Sequence, residues 1–79
     1  MSKHIQLLDA ALGVTTSQRG SECQADADSL PGSPPIGTGI NGETARADLY
    51  AHLLIDVVLS NPGEGYGDII ARLIREEVR

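Results

Sequence analysis

Residues 49–59 read LYAHLLIDVVL, and every position in this stretch except His52 and Asp56 is apolar. The pattern continues at helical spacing, and Pro62 then ends it because the residue before a proline disfavours the α region. The stretch therefore predicts a helix from about residue 43 or 44 to residue 60. A surface helix needs an apolar stripe roughly 100° wide, whereas this helix is apolar over most of its circumference. The surplus apolar surface predicts a contact with another chain.

Two further helices are predicted, one on each side of this stretch. Residues 67–78 carry aliphatic side chains on one stripe, and the short, glycine-containing connection at 61–67 predicts an antiparallel hairpin with the preceding helix. Residues 3–13 fit a short helix with Ser2 as its N-cap and Gly13 as its C-terminal stop. Because such a short helix is marginal in isolation, it must dock on the rest of the chain.

The segment between the first two helices, residues 15–43, has a different composition. Eight of its 29 residues are proline or glycine, it holds three of the chain's 20 Ile, Leu and Val residues, and it carries one arginine against four acids. This composition is typical of low-complexity or disordered chain. A loop of that length in a compact domain indicates a functional segment, a linker or an element that has been missed. We expect an irregular segment here.

The predicted fold is therefore all-α, in one small domain that spans residues 1–79. A short N-terminal helix lies within 1–14, a long irregular segment rich in proline and glycine covers 15–43, and an antiparallel helical hairpin covers 44–79. Dimerisation completes the core. The predicted interface lies on the central helix and comprises Leu49, Tyr50, Leu53, Leu54, Val57 and Val58.

Charge and composition disfavour several classes of partner. The chain has 79 residues and a net charge of −5, which argues against nucleic-acid phosphate and anionic membrane as partners. It contains no Phe and no Trp, so it lacks the stacking surfaces that single-strand binders use. Its single cysteine, Cys23, cannot form an internal disulfide, which indicates a reducing, cytoplasmic location. The apolar stretch at 5–14 resembles neither a signal peptide nor a membrane span.

Asp48, His52, Asp56 and Ser60 follow one another at a spacing of four residues and form a narrow polar line on the central helix. Imidazole and carboxylate groups suit a divalent metal, but the only other histidine, His4, lies near a terminus and completes no ligand set. The pattern therefore predicts a solvent-exposed polar line with weak attraction between neighbouring turns. We predict no metal and no cofactor.

A glycine motif leads into the central helix, because residues 37–42 read GTGING and match the spacing G-x-G-x-x-G. Backbone amides at a helix N-terminus bind anions, and Arg46 lies one turn into the helix. The proline-rich residues before the motif cannot supply the strand that a dinucleotide fingerprint needs, and Glu43 would repel phosphate. The alternative function that follows is a small-ligand binder, which holds an anionic metabolite or nucleotide at a subunit interface. Its candidate residues are Gly37, Gly39, Gly42 and Arg46.

The sequence contains no arrangement of nucleophile and base, no Walker loop and no H-E-x-x-H motif. We therefore predict that the protein is not an enzyme. The preferred interpretation is a small acidic protein that acts by protein–protein interaction and forms a homodimer. Proteins of this size and charge include regulators, antitoxins and phage-borne inhibitors of host systems.

Overall fold

Residues 3–78, which the computed structural model describes, form three helices and one three-stranded sheet. In chain order the elements are α1 (Lys3–Leu12), β1 (Val14–Arg19), β2 (Glu22–Ala27), β3 (Gly37–Gly39), α2 (Gly42–Leu59) and α3 (Gly67–Glu77). The architecture is a mixture of helix and antiparallel sheet, so the all-α prediction is wrong. The error lies in residues 15–43, because the irregular segment expected there is where the strands form.

A two-residue turn joins β1 to β2. The two strands pair in antiparallel register, with Val14 opposite Ala27 and Arg19 opposite Glu22. Gly20 in the turn has a φ of +63°, and the next residue, Ser21, has a negative φ. This combination fits a type II′ turn, whose twist matches that of the flanking strands. The turn and the β-branched residues at the start of β1 therefore favour a hairpin despite the low hydrophobicity of the segment.

β2 is the central strand and carries the buried face of the sheet. Cys23, Ala25 and Ala27 alternate along it on one face, and both alanines are buried in the core with residues of α2. β3 adds to the other edge of β2, where Gly39 pairs with Cys23 and Gly37 with Ala25. Because these side chains are small, α2 can approach the sheet closely.

α2 begins and ends at well-defined caps. The side-chain oxygen of Asn41 accepts a hydrogen bond from the backbone nitrogen of Thr44 at 2.9 Å, and the Thr44 hydroxyl accepts one from the Asn41 backbone at 3.2 Å. This reciprocal pair is a capping box. At the other end Ser60 is the C-cap, two residues before Pro62. The sequence therefore predicts the position of this helix to within one or two residues at each end.

The other two helices also lie where the sequence predicts them, but they pack differently. α1 ends at Leu12 because Gly13 adopts a φ of +63°, and its predicted N-cap, Ser2, lies outside the described residues. The closest backbone neighbour of α3 is α1, whereas α2 packs mainly on β2 and β3. The predicted hairpin of the last two helices is therefore wrong in its pairing, because the sheet occupies the most buried face of α2.

The core lies between the sheet and the helices and is built from aliphatic side chains. Its buried members are Leu12, Ala25, Ala27, Leu30, Ala45, Leu49 and Leu53. Partly buried side chains of α3, with Tyr50 and Tyr66, pack against this cluster. Three of these seven side chains are alanine, so the core is limited in volume, as expected for a chain without Phe or Trp. Within residues 3–78 no helix is long and apolar enough to cross a membrane.

Candidate functional site

The polar line of α2 holds neighbouring segments of the chain in place. The Asp48 carboxylate accepts a hydrogen bond from the backbone nitrogen of Thr38 in β3 at 2.9 Å. One turn later, Nδ1 of His52 lies 2.9 Å from the carbonyl oxygen of Ile36, and this contact requires that Nδ1 carries the proton. Both bonds fasten the chain that enters β3 to the helix. The line therefore has a structural role that its i, i+4 spacing alone does not reveal.

The third member of the line fastens the connection between α2 and α3. Oδ1 of Asp56 accepts a hydrogen bond from the backbone nitrogen of Tyr66 at 3.0 Å. The Tyr66 hydroxyl in turn donates to the carbonyl oxygen of Pro31 at 2.8 Å. Among residues 3–78 no group of three or more His, Cys, Asp or Glu side chains is arranged to hold a metal ion.

The glycine motif packs β3 against α2. Gly37 is buried, and a Cβ placed on it would overlap the Ala45 carbonyl oxygen and the Leu49 backbone, whose Cα would lie 2.8 Å away. A Cβ on Gly39 would lie 2.8 Å from the backbone nitrogen of Ala45. The first two glycines therefore allow a strand to touch a helix backbone, and the space that a phosphate would need beside them is filled by α2.

The amide groups around the motif are also engaged within the chain. The amide of Thr38 donates to the Asp48 carboxylate, the amide of Thr44 to the Asn41 side chain, and the amide of Ala45 to the Asn41 carbonyl. Gly42, the third glycine, opens α2, where an added Cβ would make only ordinary contacts with Thr16. At the N-terminus of α2 the amides of Thr44 and Ala45 are thus bonded to Asn41.

Arg46, the fourth candidate ligand residue, belongs to a cluster that links α1 to α2. Nε of Arg46 lies 3.7 Å from a carboxylate oxygen of Asp9, and the Tyr50 hydroxyl donates a hydrogen bond to the other oxygen of that carboxylate. Burial raises the pKa of the Tyr50 hydroxyl far above its usual value, and the hydrogen bond to Asp9 adds to this effect. The structure thus places Arg46 beside an acidic side chain of its own chain.

The six predicted interface residues divide between two sides of α2. Leu49 and Leu53 are buried in the core of the chain itself, and Tyr50 is half-buried against α1. Leu54 and Val58 are 64% and 70% exposed. The periodicity places all six on the same helix, but only the position of the sheet determines which side faces inward.

The exposed residues continue around the helix into one apolar surface. We define the outer face of α2 as Ala47, Ala51, Leu54, Ile55, Val58 and Leu59, all of which are exposed. None of these side chains carries a charge, and Leu59 is 79% exposed. Ile55 and Leu59 are not among the residues predicted from the sequence, although the absence of polar residues at these positions was the signal that could have identified them.

An apolar cleft borders the outer face. It has a volume of about 240 Å³ and lies where the three helices meet. Leu54 contributes to both the cleft and the outer face, together with Leu8 of α1 and Ile70 of α3 in the cleft. The remaining lining residues are Leu12, Tyr50, Leu53 and Val57. The exposed apolar surface is thus continuous from α2 toward α1 and α3.

Comparisons with known proteins do not assign this surface. No protein-family model matches the chain, and searches of curated proteins and of solved structures find no similar protein.

Proposed function

We propose that this protein is a non-enzymatic regulator or inhibitor that acts by binding protein through the outer face of α2. The observation that supports the proposal is the set of large aliphatic side chains exposed there, which are Leu54, Ile55, Val58 and Leu59. An exposed aliphatic side chain is common, but a contiguous group of them marks an interaction site. The single cysteine, Cys23, is unpaired, which fits action in the reducing cytoplasm.

The chemistry of the outer face supports a protein as the ligand. Its side chains are all aliphatic, whereas small-molecule sites are concave and contain a few convergent polar groups. Two polar side chains that flank it, Asp48 and His52, are bonded to the chain segment at 36–38. An apolar helix surface of this kind is recognised by a second apolar surface, as in helix-to-helix or helix-in-groove contacts.

The test compares two variants that introduce the same charge at equivalent places. Val58→Asp puts a carboxylate on the outer face in the last turn of α2. Val78→Asp puts one at the C-cap of α3, where Val78 is 61% exposed. Both variants place a carboxylate at the C-terminal end of a helix, where its interaction with the helix dipole is unfavourable. Any difference between them in the proteins retained is therefore due to the outer face. Each protein is immobilised and the proteins it retains from a cell extract are quantified, including its own chain.

We expect that proteins retained by the natural chain are lost with Val58→Asp and kept with Val78→Asp. Equal retention by both variants contradicts the proposal. A thermal shift in the presence of nucleotides or anionic metabolites would also contradict it, because such a shift supports the small-ligand alternative at Gly37, Gly39, Gly42 and Arg46.

A further inference from the structure

The seam at the centre of the outer face has the spacing of a coiled coil. Ala47, Ala51, Leu54 and Val58 follow one another at intervals of four, three and four residues, which is the alternation of the d and a positions in a heptad repeat. All four are on the side of α2 opposite Ala45, Leu49 and Leu53, which are buried in the core. The seam therefore points away from the chain's own core.

We propose that the outer face binds a second copy of this chain, and that the two α2 helices pair antiparallel about a two-fold axis near the middle of the seam. This inference rests on the proposed function and names its partner. An interface about a two-fold axis brings the same patch of both copies together, so the patch must complement itself. The outer face meets that condition in side-chain size and in charge.

Side-chain size favours the antiparallel arrangement. In that arrangement Ala51 of one copy lies opposite Leu54 of the other, and Ala47 lies opposite Val58, so every small side chain of the seam meets a large one. Alternation of large and small residues across facing positions fills an interface without voids. In a parallel pair, Ala47 and Ala51 would instead face the same residues of the second copy, and so would Leu54 and Val58. Because the larger pairs would hold the two backbones apart, voids would remain between the alanines.

Charge favours the same arrangement. In a parallel pair the residues that flank the seam meet at an offset of five, which would bring Glu43 of each copy close to Asp48 of the other. These like charges repel each other. In the antiparallel pair Asp48 lies near Ile55 of the second copy instead. Because the whole chain carries a net charge of −5, contact between two copies is least unfavourable where the side chains are uncharged, as those of the outer face are.

The accessible area of the chain is larger than the usual scaling of surface with size gives for a monomer. The chain exposes 5147 Å². A self-contained monomer of its mass, 8.3 kDa, exposes roughly 4,600 Å² by the usual scaling of surface with size. A standard interface removes about 800 Å² per partner. On the outer face Leu54, Val58 and Leu59 are 64%, 70% and 79% exposed, so an interface there would remove mainly apolar surface.

The first experiment measures the mass of the purified protein by sedimentation over a range of concentrations. We expect a dimer for the natural chain and for Val78→Asp. For Val58→Asp, which buries two carboxylates in the interface, we expect a monomer with a dimer affinity at least roughly 100-fold weaker. Circular dichroism checks that each variant is folded. A monomeric natural chain, or a Val58→Asp protein that remains dimeric, overturns the inference.

The second experiment determines the orientation of the helices and does not depend on a disruptive variant. Ala47→Cys and Val58→Cys are prepared separately in a Cys23→Ser background, mixed in reducing buffer and then oxidised. In the antiparallel pair residue 47 faces residue 58, so the disulfide forms between the two variants. Two copies of residue 47 would be about 16 Å apart along the axis, too far for a bond. Predominant disulfides within each variant would show a parallel pair and overturn the inference.

The two proposals fail in different ways. If the purified chain is monomeric but Val58→Asp still loses a protein that Val78→Asp retains from an extract, the outer face binds another protein and only the present inference is wrong. If the chain is monomeric and both variants retain the same proteins, the proposed function is wrong as well.

Discussion

At the scale of single residues, Gly37 and Gly39 set the distance between the sheet and α2. Gly→Ala at position 37 places a Cβ against the backbone of Ala45 and Leu49, and backbone atoms cannot rotate away as a side chain can. We expect Gly37→Ala to lower the free energy of unfolding by more than about 2 kcal/mol, because the strand must move off the helix. Urea denaturation followed by circular dichroism measures the change.

The matched control is the third glycine of the same motif. Gly42→Ala adds a Cβ that makes only ordinary contacts with Thr16, at the first position of α2, so we expect a change within about 1 kcal/mol. If Gly37→Ala and Gly42→Ala lower the free energy of unfolding equally, the motif does not act through packing against α2.

Tyr50 is the residue whose ionisation the fold changes most clearly. Burial and the hydrogen bond to Asp9 raise the pKa of its hydroxyl. In a Tyr66→Phe background Tyr50 is the only tyrosine, and we expect its absorbance change at alkaline pH to begin well above the ordinary range near pH 10. A midpoint at the ordinary value would show that the contact between α1 and α2 does not form in solution.

The same shift predicts how stability depends on pH. The folded chain retains the Tyr50 proton above pH 10, where the unfolded chain releases it, so unfolding becomes more favourable as pH rises. The stabilisation is complete below the unfolded pKa of about 10 and is lost above it, with a slope of at most about 1.4 kcal/mol per pH unit. Tyr50→Phe removes this pH-dependent part of the free energy of unfolding. Denaturation curves of the natural chain and of Tyr50→Phe between pH 8 and pH 11 measure the difference.

At the scale of secondary-structure elements, the polar line makes α2 the support to which other segments attach. Asp56→Ala removes the acceptor for the Tyr66 amide, at the point where α3 begins. We expect a loss of about 1 kcal/mol and faster hydrogen exchange at that amide. Asp56→Asn keeps an oxygen acceptor and serves as the control. An unchanged rate of hydrogen exchange at the Tyr66 amide in Asp56→Ala would contradict the proposed structural role of Asp56.

The helices could be predicted from the sequence and the strands could not, for physical reasons. Helical periodicity and the stops at Gly13 and Pro62 locate all three helices within one or two residues. In β2 the inward positions are Cys23, Ala25 and Ala27, whose small side chains give almost no alternation in hydrophobicity. The turn at Gly20–Ser21 was a readable signal for a hairpin, but it lies in a segment whose composition suggests disorder.

At the scale of the whole molecule, a dimer couples stability to concentration. Because partner binding stabilises the folded state by mass action, about a 100-fold dilution should lower the melting temperature of the natural chain by roughly 5 °C. Val58→Asp should melt at one temperature at all concentrations, and Val78→Asp should follow the natural chain. Calorimetry at several concentrations measures these melting temperatures. If the melting temperature of the natural chain does not change with concentration, the result contradicts a dimer.

The candidate site was only partly predictable for the same reason as the fold. Surplus apolar surface on α2 is visible in the sequence, and Leu54 and Val58 lie on the outer face. Leu49 and Leu53 lie in the core because the unforeseen sheet covers that side of the helix. The glycine motif looks like an anion loop in sequence, whereas β3 and α2 give its first two glycines a packing role.

The contact between α1 and α3 affects the order of folding. These elements lie at opposite ends of the described chain, so their contact closes a far longer loop than the two-residue turn between β1 and β2. We expect the hairpin to form early and the two ends to meet last. During synthesis α1 emerges from the ribosome well before α3, and until α3 follows, the cleft that Leu8 lines lacks Ile70. We therefore expect the nascent chain to bind chaperones most readily in that interval.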